Sequence, residues 1–499
     1  MNLEKSNYLP VDVLRRKLAG CHLATSPFAP DFRLDKLLTE VTTCRIIKEN
    51  DRRQIYYLET PGNGYFFKFS TLARPKDQWR HFLLPYRKWS EWRNLHRLLH
   101  AGIAAAKPVL KGENKTSRPQ HFFLLTEQIQ GLPFKIHTAG DMRRMGEYAS
   151  WLHCRGVYHA DLHPNNIIMT PEDEIKLIDV QQLFLLPWLP RRLRVYNLGK
   201  IYFNLGFRSD RPHSPQEFIA GYNTKSQTSI RLTELEKAAR RHQQKKFSSR
   251  SKRCCRNSSE FMVVKNAGWK GYKRKSFDWK ITDLWQALEK GQPLKGSHVI
   301  SYKAVCIKTH LRRLFHENRC LTSWKMSRAL DVRGIAVPRA LGYFVIDDIS
   351  CFVSELLDDR LHLNTYLSSI SDERTKRRAL KKFALWLRKF YDTHVWQRDF
   401  KSDNILCQNG EYFMVDLDGV KIRRLSEQQK TVNLAQLNAS VSNAVTVKDR
   451  LRFYHYLTAG QKPPRQQRRA VYRKVWDISR NKTTSNYDLD IDTLWKHGR

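Results

Sequence analysis

The chain has 499 residues, of which 41% are hydrophobic and 11% aromatic, enough to fill globular cores and to exclude a disordered chain. Its 89 Lys+Arg against 48 Asp+Glu leave a net charge of +41, which points to a polyanionic partner: nucleic acid, an anionic membrane face or a phosphorylated glycolipid. Nine cysteines without a CxxC pair, with Cys254 and Cys255 adjacent, fit neither a disulfide framework nor a zinc site, and no run approaches the roughly 18 apolar residues of a membrane span. Without a signal-peptide core at the N-terminus, the expected home is the reducing cytoplasm, with at most a peripheral membrane contact.

Residues 1–37 read as a lead-in. Strand character begins at Val41 and continues in Val41 to Lys48, Gln54 to Thr60 and Gly64 to Ser70, the last two joined by the turn signal Pro61, Gly62, Asn63, Gly64. Lys68 lies among Phe66, Phe67 and Phe69 on the third run, where a kinase keeps the lysine that holds nucleotide phosphates. Taken singly it reads as a solvated strand residue. Trp92, Leu95, Leu98 and Leu99 have helical spacing, and Glu91 on that helix is placed to pair with Lys68, although by itself it reads as an acid favoured near a helix N-terminus. Phe122 to Thr126 supplies a further strand, and Met142, Met145, Tyr148 and Leu152 form the apolar stripe of a helix that leads to Gly156.

From Gly156 to Gln181 the chain carries its most specific motif. His159, Ala160 and Asp161 precede Asn166 by a fixed spacing, five residues from carboxylate to amide, and the apolar Ile167 to Met169 follows. A short strand, Ile175 to Ile178, then ends in Asp179. One carboxylate faces a substrate hydroxyl while an amide oxygen and a second carboxylate face a metal, which is the arrangement of phosphoryl transfer. A lone HxD is weak; the full string in its hairpin setting is not.

Residues 194–205 and 217–222 read as helices of a second lobe. Between Lys237 and Arg256 there are nine Lys/Arg and no acid, read as a flexible basic linker over 237–257. Then the pattern repeats. Asp399 and Asn404 reproduce the five-residue spacing, Asp416 closes a strand, and Lys308 lies 91 residues before Asp399, against 93 between Lys68 and Asp161. Arg333 to Pro338 echoes Ala101 to Ala106. The position matching Glu91 falls on Ser323, and that matching His159 on Gln397, so the second copy keeps its metal and phosphate residues and loses supporting ones. It is expected to be weakly active or a binding module.

At these residues the chain resembles the bacterial lipopolysaccharide kinase family, the core heptose and Kdo kinases. The nearest matches are the string from His159 to Ile167 and the stretch from Trp324 to Pro338, and the resemblance spans roughly 38–235 and 260–458. It implies an α+β chain of two tandem protein-kinase-like domains, each a small antiparallel β N-lobe and a mainly helical C-lobe, at 38–236 and 258–460, with a basic tail over 461–499. It implies ATP- and Mg2+-dependent phosphorylation of a lipopolysaccharide core sugar at the cytoplasmic face of the inner membrane. Asp161, and less firmly Asp399, would be catalytic; Lys68, Glu91 and Lys308 would serve the nucleotide; Asn166, Asp179, Asn404 and Asp416 would hold the metal. No GxGxxG precedes either lysine strand, which leaves the phosphate-covering loop unassigned. Two other readings are an aminoglycoside or choline kinase type of enzyme and a pseudokinase scaffold on an anionic partner. The basic run lacks interleaved aromatics, which argues against nucleic acid.

Overall fold

A computed structural model describes residues 9–50, 53–72, 78–79, 88–205, 215–226, 228–266, 268–294, 296, 298–312, 317–459 and 464–480. The chain divides into two compact units, Met1–Gln244 and Lys245–Arg499.

In the first unit, six strands form an antiparallel sheet in the order His22–Thr25, Pro108–Asn114, His121–Glu127, Asn63–Thr71, Arg53–Thr60, Thr43–Asn50. Alternation sorts the lysine strand: Phe67 and Phe69 are buried on one face with Tyr56, Leu58, Phe123 and Leu125, and Lys68 turns to the other. The helix Ser90–His100 packs Trp92, Leu95 and Leu98 into the core of the second lobe. Residues 9–37 do not form a lead-in. Leu14 of the helix Val11–Leu18 and Leu37 of the helix Leu34–Glu40 are buried in the sheet's core, and His22–Thr25 adds a strand.

The helical lobe starts with Ala139–Cys154, opened by a capping box in which the Thr138 hydroxyl accepts from the Asp141 N–H and the Asp141 side chain accepts from Thr138. This helix meets Pro215–Lys225 backbone to backbone. A Cβ on Gly146 would sit 2.1 Å from the Phe218 carbonyl oxygen, and one on Gly221 2.1 Å from that of Arg143. Gly156 then turns the chain at φ +74°, where a Cβ would overlap the Leu186 carbonyl, and starts the strand Val157–His159.

The second unit repeats the plan with a seven-stranded sheet in the order Phe261–Asn266, Trp269–Arg274, Ala340–Ile346, Ile349–Glu355, Val305–Leu311, Val299–Tyr302, Gln292–Pro293. Arg319–Val332 is the helix behind the lysine strand, and Glu373–Asp392 leads to the second motif. Each unit therefore holds an antiparallel β lobe and a mainly helical lobe, as the resemblance implied.

The two basic segments carry helices over their described residues. Residues 232–251 form one helix, with the unit boundary inside it, that buries Leu235, Ala238, Ala239, His242 and Phe247. Arg465–Arg480, expected as tail, is a helix that buries Tyr472, Val475, Trp476 and Ser479. In both, an apolar stripe at helical spacing is embedded among basic residues. Each packs on the matching helix of its own copy: Ala238 lies against Gly199, and the Ser479 hydroxyl donates to the Ala435 carbonyl. The remaining tail residues, 461–463 and 481–499, lie outside the described residues. No described helix is long and apolar enough to cross a membrane, and none of the nine cysteines is in a disulfide.

Candidate active site

Lys68 and Glu91 meet. The strand carries Lys68 to the face on which the helix Ser90–His100 presents Glu91, and the ammonium pairs with Glu91 Oε1 in a mostly buried setting. Arg53, from the neighbouring strand, reaches Glu91 Oε2 at 3.3 Å, a partner the sequence reading did not foresee. One turn further along the helix, Asn94 Nδ2 donates to the Val180 carbonyl at 2.8 Å and the Leu183 carbonyl at 2.9 Å. The position of Glu91 is thereby coupled to the turn that follows Asp179.

The loop from His159 is held from within. Asn166 Nδ2 donates to the Asp161 carbonyl at 2.9 Å, and the Ile178 N–H donates to the Asn166 carbonyl at 3.0 Å. Asn166 thus bridges the loop to the residue just before Asp179. Asp179 has φ 53°, left-handed backbone that turns its exposed carboxylate out of the strand. His159 is only 1% exposed. Its Nδ1 accepts from the Asp161 N–H at 3.1 Å, and burial pushes its pKa down to about 4, so it stays neutral and braces the backbone. Asn197 Nδ2 holds the His159 carbonyl at 2.9 Å, with its oxygen on His153 Nε2 at 2.9 Å. Lys200 donates to the Ala160 carbonyl and lies 3.5 Å from the Asp161 carboxylate. Spacing alone could not single out Lys200, four positions from Tyr196 on a helix read only as scaffold.

The second unit rebuilds the loop with other side chains. Asn404 Nδ2 donates to the Asp399 carbonyl at 2.8 Å, and the Val415 N–H to the Asn404 carbonyl at 2.9 Å. Gln397, in the place of His159, accepts from the Arg398 N–H at 3.0 Å and donates to the Asp416 carbonyl at 2.9 Å, so its bracing is kept rather than lost. Asn433 holds the Gln397 carbonyl at 2.8 Å, as Asn197 holds that of His159. Gln436 matches Lys200 and donates to the Arg398 carbonyl at 2.8 Å; the cation beside the Asp399 carboxylate is instead Lys401, at 2.9 Å. Ser323 is buried behind the sheet with an unpartnered hydroxyl and does not face Lys308 across an ion pair. Lys308 pairs with Asp416 and Asp418.

The model of the lipopolysaccharide kinase (Kdo/WaaP) family matches residues 45–222 and again 300–456, more than half the chain. The chain belongs to that family. The two matched segments are two copies of the family's domain, and the chain is a lipopolysaccharide-related kinase, an ATP-using phosphotransferase with a hydroxyl group as acceptor. No curated protein matches it. Among solved structures, WaaP in complex with acyl carrier protein shares 20% identity over 43% of this chain and 92% of that one, with TM-score 0.30. A spectinomycin phosphotransferase in complex with ADP and spectinomycin gives 12%, 42%, 83% and 0.29 in the same order, and an aminoglycoside-3'-phosphotransferase of type VIII gives 15%, 46%, 95% and 0.29.

Proposed function

We propose that this kinase phosphorylates a sugar hydroxyl, on heptose or Kdo, of the lipopolysaccharide inner core, with the first unit as the working site. The observation that carries the assignment of the first unit is the Lys68–Glu91 pair, formed beside a loop in which Asn166 links Asp161 to the strand end at Asp179. Asp161 takes the proton of the sugar hydroxyl as its oxygen attacks the γ-phosphorus and the bond to the β-phosphate oxygen breaks. Lys68 holds the α- and β-phosphates, and Glu91 with Arg53 fixes where Lys68 stands. Lys200 sets the direction of the Asp161 carboxylate.

The donor set suits Mg2+. Among the described residues no three His, Cys, Asp or Glu side chains form a metal cluster, but Mg2+ in kinases takes only one or two protein oxygens and completes its shell with phosphates and water. The Asn166 amide oxygen and the Asp179 carboxylate are hard oxygen donors of that kind. A bound Mg2+ neutralises charge on the transferring phosphoryl group.

A glycolipid acceptor places the enzyme at an anionic surface, and the exposed Lys237, Arg240, Arg241, Lys252 and Arg253 beside the unit boundary supply positive charge for it, at about 1 kcal/mol per residue near the surface. Vesicle binding is expected to rise with anionic lipid content and fall with salt; co-sedimentation indifferent to both would remove the membrane part of the reading. The test of function is mass spectrometry of core oligosaccharide from a strain lacking this chain. Loss of one phosphate fixes the acceptor sugar, and an unchanged core contradicts the proposal.

A further inference from the structure

The second unit's lysine has found its acid somewhere else. Behind its strand, the helix position that matches Glu91 is Ser323, 1% exposed and without charge. Lys308 Nζ instead lies 2.5 Å from Asp416 Oδ1 and 3.3 Å from Asp418 Oδ1. Both carboxylates belong to one turn. Asp416 at φ 56° opens the short helix Leu417–Gly419 as Asp179 at φ 53° opens Val180–Gln182, so the two turns align residue for residue. In that alignment Asp416 matches Asp179, and Asp418 matches Gln181, an exposed glutamine in the first unit.

The two carboxylates are differently placed. The Asp416 side chain is 43% exposed, whereas that of Asp418 is 11% exposed and also lies 3.8 Å from Arg319 Nε. A lysine held by Asp416 alone would lose its partner whenever that carboxylate turned to a metal. With Asp418 behind it, Lys308 keeps one. A cavity of about 1390 Å³ has Asp418 in its wall together with Arg312, Arg319, Arg398 and Glu317, while Lys308 and Asp416 lie outside that wall.

We infer that Asp418 is the acid that positions Lys308, in the part Glu91 plays for Lys68, and that the second unit is therefore a second site for nucleotide phosphates. The inference rests on the kinase reading of the chain. Asp418 is a positioning residue: it touches the lysine, and the lysine touches the nucleotide. The pair is rebuilt from the turn after the strand, a few residues from the metal-facing carboxylate, instead of from the helix behind the sheet.

The test is affinity labelling of the full chain with an acyl-phosphate derivative of ATP, which acylates a lysine that contacts the phosphates, followed by peptide mass spectrometry that reads Lys68 and Lys308 separately. In the wild type both lysines are labelled, and excess ATP with Mg2+ blocks both. Asp418→Asn lowers Lys308 labelling by about tenfold or more, the order expected when a reacting group moves by a fraction of an ångström to about 1 Å, and leaves Lys68 labelling as it was. Asp418→Glu restores it, which separates anchoring by charge from mere support of the turn. Lys308 labelling unchanged in Asp418→Asn, or equally low in Asp418→Asn and Asp418→Glu, overturns the inference, as does a wild type labelled at Lys68 alone. A wild type labelled at neither lysine overturns the kinase reading with it.

Discussion

The two units solve one problem with different side chains. In both, a strand lysine meets an acid and the loop aspartate meets a cation. The first unit draws both partners from α-helices, Glu91 for Lys68 and Lys200 for Asp161; the second draws Asp418 for Lys308 from the one-turn helix Leu417–Gly419 and Lys401 for Asp399 from the loop itself. What stays constant is the backbone wiring: Asn166 and Asn404 bind the carbonyl of the aspartate five residues earlier, and Asn197 and Asn433 hold the carbonyl of the residue that begins each loop. Charge partners are exchangeable as long as the main chain is held. In the first unit the lysine pairs with the acid on the helix, whereas in the second Lys308 pairs with Asp416, the residue that matches Asp179.

The largest expected difference between the units is at Asp161 and Asp399. Asp161→Ala is expected to lower turnover by about 10² to 10⁴, the value of a general base, and Asp399→Ala to lower it by only a few-fold; equal losses in a steady-state assay would erase the distinction. Next comes the lysine's acid. Glu91→Ala leaves Lys68 and Arg53 without their mostly buried partner and is expected to cost about 3 to 5 kcal/mol in denaturant unfolding. Ser323→Ala at the matching position only removes a buried unpartnered hydroxyl and is expected to shift stability by about 1 kcal/mol or less in either direction.

A further difference is in acid stability. The first unit buries His153 and His159, both pushed down to about 4 chiefly by burial, where the second has Tyr391 and Gln397. The unfolded chain protonates its histidines below about 6.5 and the folded unit resists until about 4. Stability from these two groups is thus complete above about pH 6.5 and is lost as pH falls toward 4, by about 3 kcal/mol each. Hydrogen exchange at pH 7 and pH 4.5 should show the first unit's helical lobe losing protection more than the second's. Protection lost equally by both lobes would mean that the two histidines are not protonated on unfolding alone. A last difference is the helix clamp: Asn94→Met, which copies Met326 of the second unit, removes the donor to the Leu183 carbonyl and one of the two donors to the Val180 carbonyl, which keeps the Leu183 N–H, and is expected to cost about 1 to 3 kcal/mol.

The duplicated architecture and the loop motifs were legible because they are local in sequence: five residues from Asp161 to Asn166, a strand that ends in Asp179, a helix that offers Glu91. The partners were not. Arg53 to Glu91, Lys200 to Asp161 and Lys308 to Asp418 are tertiary contacts between residues 38, 39 and 110 positions apart, and a lysine or aspartate of that kind looks like any solvated surface charge until the chain is folded. Ser323 was readable as a missing acid, but where the replacement came from was not. The basic helices mislead for another reason. Nine cations without an acid suggest mutual repulsion and an extended chain, yet Leu235, Ala238, Ala239, His242 and Phe247 form a stripe that burial favours over the repulsion of solvated charges. The same stripe logic, applied to Tyr472, Val475 and Trp476, accounts for the helix at the other end of the second unit.

A first unit that works as the kinase beside a second that holds nucleotide should respond unequally to Asp179→Ala and Asp416→Ala in one turnover assay on the full chain, with ATP, Mg2+ and core oligosaccharide. Asp179→Ala is expected to abolish nearly all phosphate transfer while Asp416→Ala retains most of it. Equal losses, or a larger loss from Asp416→Ala, would contradict this assignment and make the second unit the catalytic one.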